Sequence, residues 1–311
     1  MKVVHLIAEL PERYVNSLGG SFLDDSFYDT LIQEDADVFK PDGSPLVKFR
    51  KKCVSPVLCG QAYESLRELP TKYTGSNRGM AGGKERVQEM SALENRPIAS
   101  KSGTRFRVLR KDGRVSNTIY APPTPSAIAG YFERTTRYPY CRQTAFTGTE
   151  VEKWAQALEY IRAVNGVFAS ELPERYGVQK KRADATHPDF VIPQTAFTTL
   201  TINRNWQTAV HQDAGDLREG FGVMSVLQKG RYEGGYFVIP KYRVAVDMRH
   251  GDVLLADVHE WHGNTKIVGS PDYERISVVF YYRQKMLQCG SAGEELERAK
   301  SRKAGDSLFA Y

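Results

Sequence analysis

The run Phe197-Thr-Thr-Leu-Thr-Ile-Asn203, followed by His211-Gln-Asp213, decides how this chain is read. The first run is rich in β-branched residues and reads as a strand. Residues two apart on a strand point to one face. If extended backbone persists through Val210, His211 and Asp213 point inward together and can bind one ion. About fifty residues later come Trp261-His-Gly-Asn-Thr265 and then Arg275-Ile-Ser277. Two imidazoles and one carboxylate are the ligand set of a non-haem iron(II) site with open coordination positions. The third ligand has to come from a different strand, which accounts for the long gap.

A His-x-Asp alone is more often a turn with a surface histidine. Here four of the six histidines fall between 211 and 262, which favours a metal. Gly251-Asp-Val-Leu-Leu-Ala256 reads as a turn feeding a buried strand. His259 and His262 beyond it have opposite parity, so a straight strand turns only one of them inward, and the residues themselves leave that choice open. Arg275-Ile-Ser-Val-Val-Phe-Tyr-Tyr-Arg283 alternates cleanly, with Arg275, Ser277, Val279, Tyr281 and Arg283 on one face. On its own such a strand reads as a solvated polar face. Beside the histidines, the planar fork of Arg275 suits a carboxylate and the Ser277 hydroxyl adds a third hydrogen bond. A small dicarboxylate beside iron points to an oxygenase using 2-oxoglutarate.

Five segments together resemble the TET/JBP family of iron(II)- and 2-oxoglutarate-dependent dioxygenases, which oxidise the 5-methyl group of pyrimidines in DNA. They are Thr199-Leu-Thr-Ile-Asn-Arg-Asn205, His211-Gln-Asp-Ala-Gly-Asp216, Glu233-Gly-Gly-Tyr-Phe-Val-Ile-Pro240, His262-Gly-Asn-Thr265 and Arg275-Ile-Ser-Val-Val-Phe-Tyr281. The likeness covers roughly 195–285 and extends more weakly to Tyr138-Pro-Tyr-Cys-Arg-Gln-Thr-Ala-Phe146. It implies an α+β fold whose core is a double-stranded β-helix, a cupin-like jelly roll, buttressed by helices. It implies His262 as the distal metal ligand with His211 and Asp213, and Arg275 gripping the far carboxylate of 2-oxoglutarate with Ser277 assisting. Iron(II), 2-oxoglutarate and O2 are the implied cofactors, and oxidation of 5-methylcytosine to 5-hydroxymethylcytosine or beyond is the implied reaction.

The departures from that pattern are specific. Only Cys53, Cys59, Cys141 and Cys289 are present, with no Cys-x-x-Cys, so the zinc-binding module of the animal enzymes is absent. Phe237 stands where those enzymes have a histidine. Asp216 replaces a base-contacting asparagine and Arg283 a base-contacting histidine. The substrate pocket is therefore related but not the same, as in a compact bacterial, viral or algal relative. A methyl group inside a duplex cannot reach a buried iron, so the base is expected to flip out. Tyr281 then stacks on it, and Asp216 accepts from a cytosine amino group, favouring 5-methylcytosine. The competing readings are a thymine hydroxylase acting on DNA, an ascorbate-dependent modification of 5-methylcytosine, and a non-catalytic DNA-binding barrel. Intact His211, Asp213 and His262 argue against the last.

Composition fits a soluble enzyme with one large domain or two small ones: 311 residues, 41% hydrophobic. No run of 18 apolar residues is present, so no membrane partner is expected. The start, Met1-Lys-Val-Val-His-Leu-Ile-Ala-Glu9, is too briefly apolar for a signal peptide. Four scattered cysteines suit a reducing cytosol. A monomer is expected, cytoplasmic in a bacterium or phage host and nuclear in a eukaryote. The net charge of +6 is uneven, with sixteen Lys/Arg against six Asp/Glu between Lys48 and Val115. Arg105-Phe-Arg-Val-Leu-Arg-Lys-Asp-Gly-Arg114 reads as a basic hairpin whose Arg105 and Arg107 meet phosphates. Lys48-Phe-Arg-Lys-Lys52 reads as a second cluster. DNA is thus the expected partner.

The remaining segments give the organisation. Residues 71–84 read as a flexible loop, 84–93 as a short helix and 121–126 as a rigid connector. Thr149 to Ser170 has helical periodicity, with Thr149 as a candidate cap. Gln179 to His187 reads as a polar basic loop, and 294–303 as an exposed helix. Leu-Pro-Glu-Arg-Tyr occurs at 10–14 and at 172–176 without a longer repeat. The expected division is 1–120 as a basic, DNA-contacting region, 121–195 as helical support, 196–290 as the catalytic core and 291–311 as a tail.

Overall fold

A computed structural model describes residues 1–74, 78–84, 86, 97–102, 105–120, 124–213 and 215–301. Nine strands form one large sheet. In spatial order they are Lys2–His5, Ala36–Phe39, Pro45–Arg50, Val253–Ala256, Gly222–Lys229, Glu274–Tyr281, Thr199–Arg204, Ser126–Phe132 and Arg142–Gln143. A second sheet of four packs inside its curl, in the order Gly263–Asn264, Phe237–Ile239, Val244–Val246 and Thr30–Ile32. The two sheets make the expected double-stranded β-helix, α+β overall.

Side-chain alternation explains the layers. Leu200, Ile202, Val223, Leu227, Ile276, Val278 and Phe280 point outward from the large sheet and join Trp154, Tyr160, Ile161 and Phe168 in one apolar cluster. Those last four lie on the helix Val151–Glu171, where apolar residues recur every three or four positions. The helix Pro56–Leu66 lies beside it. The other face of the same strands turns inward. There Met224, Val226 and Leu254 meet Phe237, Ile239, Val244 and Val246 of the small sheet. Arg275, Ser277, Val279 and Tyr281 share this inner face at the open end of the fold.

Several expectations need correction. The first fifty residues are not outside the core: Ala36–Phe39 and Pro45–Arg50 extend the large sheet, and Thr30–Ile32 completes the small one. The cluster at 48–52 is accordingly satisfied from within. Lys48 lies 3.0 Å and Arg50 2.7 Å from Asp37, Arg50 also pairs with Glu171, and Lys51 donates to the Gln33 carbonyl. Only Lys52 of this cluster is fully exposed. Residues 179–187 are mostly helix, within Pro173–Ala185, because Gln179 and Ala183 recur four apart on its buried side. Both copies of Leu-Pro-Glu-Arg-Tyr begin helices, with proline at or just before the first turn where a missing N–H costs nothing. The N-cap position of the long helix is Glu150 rather than Thr149. The loop over 71–84 includes the end of the helix Leu69–Lys72 and the turn Gly79–Gly82. Residues 87–93 of the expected short helix and 121–123 of the connector lie outside the described residues.

Cys141 and Cys289 are joined in a disulfide, which leaves Cys53 and Cys59 as the thiols. Nearby, the terminal helix Ala292–Lys300 is capped by Ser291 and Glu294. It is exposed as expected except at Glu295. That carboxylate is buried and accepts from Arg134 and from the backbone N–H groups of Cys141 and Gly290. Burial alone would raise its pKa, but these donors hold it at about 2. A carboxylate depressed in the folded state stabilises the fold above its unfolded pKa and loses that effect as pH falls. Glu295→Gln is therefore expected to cost roughly 2 kcal/mol at pH 7. The cost should shrink between pH 4.5 and 2 in urea denaturation curves, and a pH-independent cost would contradict the assignment.

Candidate metal centre

Extended backbone does not run on from Asn203 to His211 as expected. The strand stops at Arg204, and a loop carries the chain to Val210. His211 instead forms an isolated antiparallel bridge with His262. Each histidine donates its backbone N–H to the other's carbonyl, both at 2.9 Å. The loop is fixed to the segment after His262 by two further bonds. Asn264 N–H donates to the Thr208 carbonyl at 3.0 Å, and Gln207 Nε2 to the Asn264 carbonyl at 3.1 Å. Gly263 suits this close crossing: a Cβ there would stand 3.2 Å from the backbone of 208–210.

The bridge sets two imidazoles 4.4 Å apart, centroid to centroid. His211 Nδ1 donates to the Ala209 carbonyl at 2.8 Å and His262 Nδ1 to the Glu260 carbonyl at 2.9 Å. A carbonyl can only accept, so the hydrogens sit on Nδ1 and both Nε2 lone pairs are presented to the site. Asp213, placed by its N–H on the Val258 carbonyl, lies with Oδ1 3.5 Å from His211 Nε2 and Oδ2 3.8 Å from His262 Nε2. One donor atom from each residue lies within 4.8 Å of the others, and this is the only such trio among the described residues. Burial and the neighbouring His211 push His262 down to about 4, so it is neutral at pH 7. Phe237 packs on the His262 ring at 5.1 Å, where a histidine would have been a polar contact.

His259 is elsewhere. Its ring meets Asp257 at 3.3 Å, and Asp257 and Glu260 both pair with Lys40 at 2.8 Å. It is a hydrogen-bonded structural histidine. Parity separates the two as the sequence suggested, but only the bridge shows which one turns inward.

Arg275 is 3% exposed. Its Nη2 donates to the Gly235 carbonyl at 3.3 Å, while Nε has neither solvent nor partner. No carboxylate of the described residues pairs with it. Gly235, at φ +67°, leaves the space: a Cβ there would meet Arg275 Nε at 3.2 Å. Ser277 Oγ accepts from Asn203 Nδ2 at 3.2 Å, and Asn203 accepts in turn from Ser126. The Ser277 hydroxyl hydrogen is thus free for a ligand.

The sequence reading missed Arg78, which lies in a Gly-Ser-Asn-Arg-Gly segment that reads as loop. Its Nε is enclosed without a partner among the described residues, and its charge acts on Tyr281, Arg283 and Asp213. Tyr281, 7% exposed, shares a hydrogen bond with Thr201 at 3.0 Å. Arg283 bridges Asp216 through the backbone, but its guanidinium is taken by Glu133, with Nη2 2.6 Å from Oε1. Burial, reinforced by Asp213, pushes the Asp216 carboxyl well above the usual carboxylate range. In the basic segment, Arg105–Val108 pairs with Ile98–Ser102, and beyond it Leu109 bridges Val115 around a turn at Gly113. Arg107 folds back on the Ser116 and Asn117 carbonyls, whereas Arg110, Lys111 and Arg114 are exposed at the tip. The side chain of Arg105 lies outside the described residues.

Thymine dioxygenase JBP1 of Trypanosoma brucei brucei is 36% identical over 193 residues, 59% of this chain and 22% of that protein. The bifunctional helicase and thymine dioxygenase JBP2 of Leishmania tarentolae is 34% identical over 183 residues, 57% of this chain and 16% of that protein. The chain thus spans about a fifth or less of the length of these curated relatives. The structure of NgTET1 in complex with 5mC DNA superposes with a TM-score of 0.54 at 11% identity, covering 94% of this chain and 100% of that one, a likeness of fold. The family model described as the oxygenase domain of the 2OGFeDO superfamily matches residues 127–284, half of the chain. With its β-helix and its His-Asp-His trio, the chain belongs to the Tet/JBP family of 2-oxoglutarate- and iron(II)-dependent oxygenases.

Proposed function

We propose that this chain oxidises the methyl group of a 5-methylpyrimidine in DNA, thymine before 5-methylcytosine. The observation that carries the reading is the convergence of His211, Asp213 and His262 on one point of the inner face. Two imidazoles and a carboxylate fit iron(II) and leave positions open. The unpaired Nε of Arg275 and the free hydroxyl of Ser277 fit one carboxylate of 2-oxoglutarate, and Arg78 offers a second cation nearby. When bound, iron(II) with 2-oxoglutarate and O2 supplies an oxidant able to take hydrogen from a methyl group.

The chain's own residues place that methyl group. A base has to leave the stack to reach the inner face, at a cost of a few kcal/mol. Tyr281, fixed by Thr201, offers a ring for the flipped base. Phe237, Val279 and Met224 surround the inner side with apolar atoms and exclude water. Asp216 meets the polar edge. As a carboxylate it would accept from the cytosine amino group, but burial is the largest influence on it and favours the neutral form. A protonated carboxyl donates, and the O4 of thymine accepts. The relatives at 34–36% identity, both thymine dioxygenases, support the same choice. The exposed Arg110, Lys111 and Arg114 fit the DNA backbone.

The test is nucleoside mass spectrometry after incubation with iron(II), 2-oxoglutarate and DNA containing thymine alone or with 5-methylcytosine. Hydroxymethyluracil is expected as the main product. Product from 5-methylcytosine alone would restore that base to first place, and no product from either would sink the reading.

Arg275→Ala removes the charge partner of a buried carboxylate, a loss of about 3–5 kcal/mol. The KM for 2-oxoglutarate should rise a hundredfold or more in steady-state assays. An unchanged KM would end the assignment and revive ascorbate as co-substrate. Arg110→Gln with Arg114→Gln should weaken binding to all DNA sequences alike and flatten the salt dependence by about one unit of slope per lost contact. Sequence-selective weakening in fluorescence anisotropy would contradict a backbone role.

A further inference from the structure

The wall of the site continues into a cavity that the chemistry above does not use. The Arg283 guanidinium lies over the Phe132 ring, 4.1 Å from its centroid. Arg142 lies over the same ring at 4.8 Å and over Tyr138 at 4.3 Å. Guanidinium groups and rings therefore alternate outward from the site: Arg283, Phe132, Arg142, Tyr138. The last three line a cavity of about 250 Å³ together with Tyr73, Ile128 and Phe146. It lies next to the reacting end of the fold. Ile128 pairs in register with Thr201, and the Thr201 hydroxyl meets that of Tyr281 at 3.0 Å.

The charges differ along this row. Glu133 neutralises Arg283. Arg142, half-buried, donates to the backbone carbonyl of Glu133 at 3.3 Å and has no carboxylate partner among the described residues. A desolvated guanidinium at the edge of an aromatic-walled cavity calls for a flat ligand carrying ring or carbonyl acceptors. A nucleobase is such a ligand. Its faces stack on aromatic rings whatever its sequence, and its edge acceptors match guanidinium donors. Flipping a target base also leaves its neighbours without a stacking partner, so a second ring-lined pocket recovers what flipping loses.

We propose that this cavity is a second nucleobase subsite, which takes an unstacked base beside the flipped target in the same DNA. The proposal rests on DNA as substrate, and its test is separable from turnover. Duplex oligonucleotides carrying one target pyrimidine are made with a single abasic residue stepped through the neighbouring positions of both strands. Affinity for the full chain is read by fluorescence anisotropy. One abasic position is expected to weaken binding about tenfold, the scale of one base–aromatic stack. Ala145 is exposed and lines the cavity, so Ala145→Trp fills it without touching the core. Ala145→Trp and Arg142→Gln should each weaken binding of intact DNA by a similar factor and become indifferent to that abasic position. A flat abasic scan, or variants that keep the wild-type scan, would overturn the proposal. A position-specific effect without any oxidised pyrimidine would leave the subsite standing and sink only the catalytic reading.

Discussion

Two backbone hydrogen bonds between His211 and His262 hold the site together. They join a loop that follows one strand of the large sheet to the edge of the small sheet. Neither histidine sits in a regular strand interior, so neither position follows from a strand's own alternation. The pairing places both rings on one side, and their Nδ1 bonds to local carbonyls fix which nitrogen faces inward. Asp213 follows two residues later, its own N–H on the Val258 carbonyl of the segment leading to His262. The whole trio is thus built from main-chain bonds between two segments, and Gly263 is the residue that lets them approach.

Charge burial gives the inner face its second property. Arg275 and Arg78 both carry enclosed Nε groups without partners among the described residues, while Arg283 is matched by Glu133 and Arg50 by Asp37. An unpaired buried cation is costly, and the cost is recovered when an anion binds. Of the enclosed arginines, Arg78 lies close enough to Asp213 for the two charges to interact. Anionic co-substrate is therefore expected to stabilise the fold as well as complete the site.

Much of this was legible in the sequence. The alternation of Arg275 to Arg283 placed Arg275, Ser277 and Tyr281 on one face, and the order of the motifs carried the family. What was illegible depended on partners distant in the chain. Lys48 and Arg50 read as a phosphate patch because Asp37 and Glu171 cannot be paired with them by inspection. Residues 179–187 read as loop because a helix with only Gln179 and Ala183 buried shows almost no apolar period. Arg78 was invisible because a loop arginine acquires meaning only when the fold brings it to Asp213 and Tyr281. The Arg142 stack likewise needs two aromatic rings that no spacing rule brings together.

The central claim is that His211, Asp213 and His262 form one metal centre to which 2-oxoglutarate is delivered. Iron(II) chelated by a 2-oxo acid absorbs visible light, which neither component does alone. Anaerobic titration of the chain with iron(II) and 2-oxoglutarate, followed by visible absorption, therefore reads the assembled centre before any turnover. The account predicts a saturable band in the wild type, its loss in Asp213→Ala and His262→Ala, and its survival in His259→Ala. A band that persists without Asp213 and His262, or one that disappears with His259 alone, would contradict it.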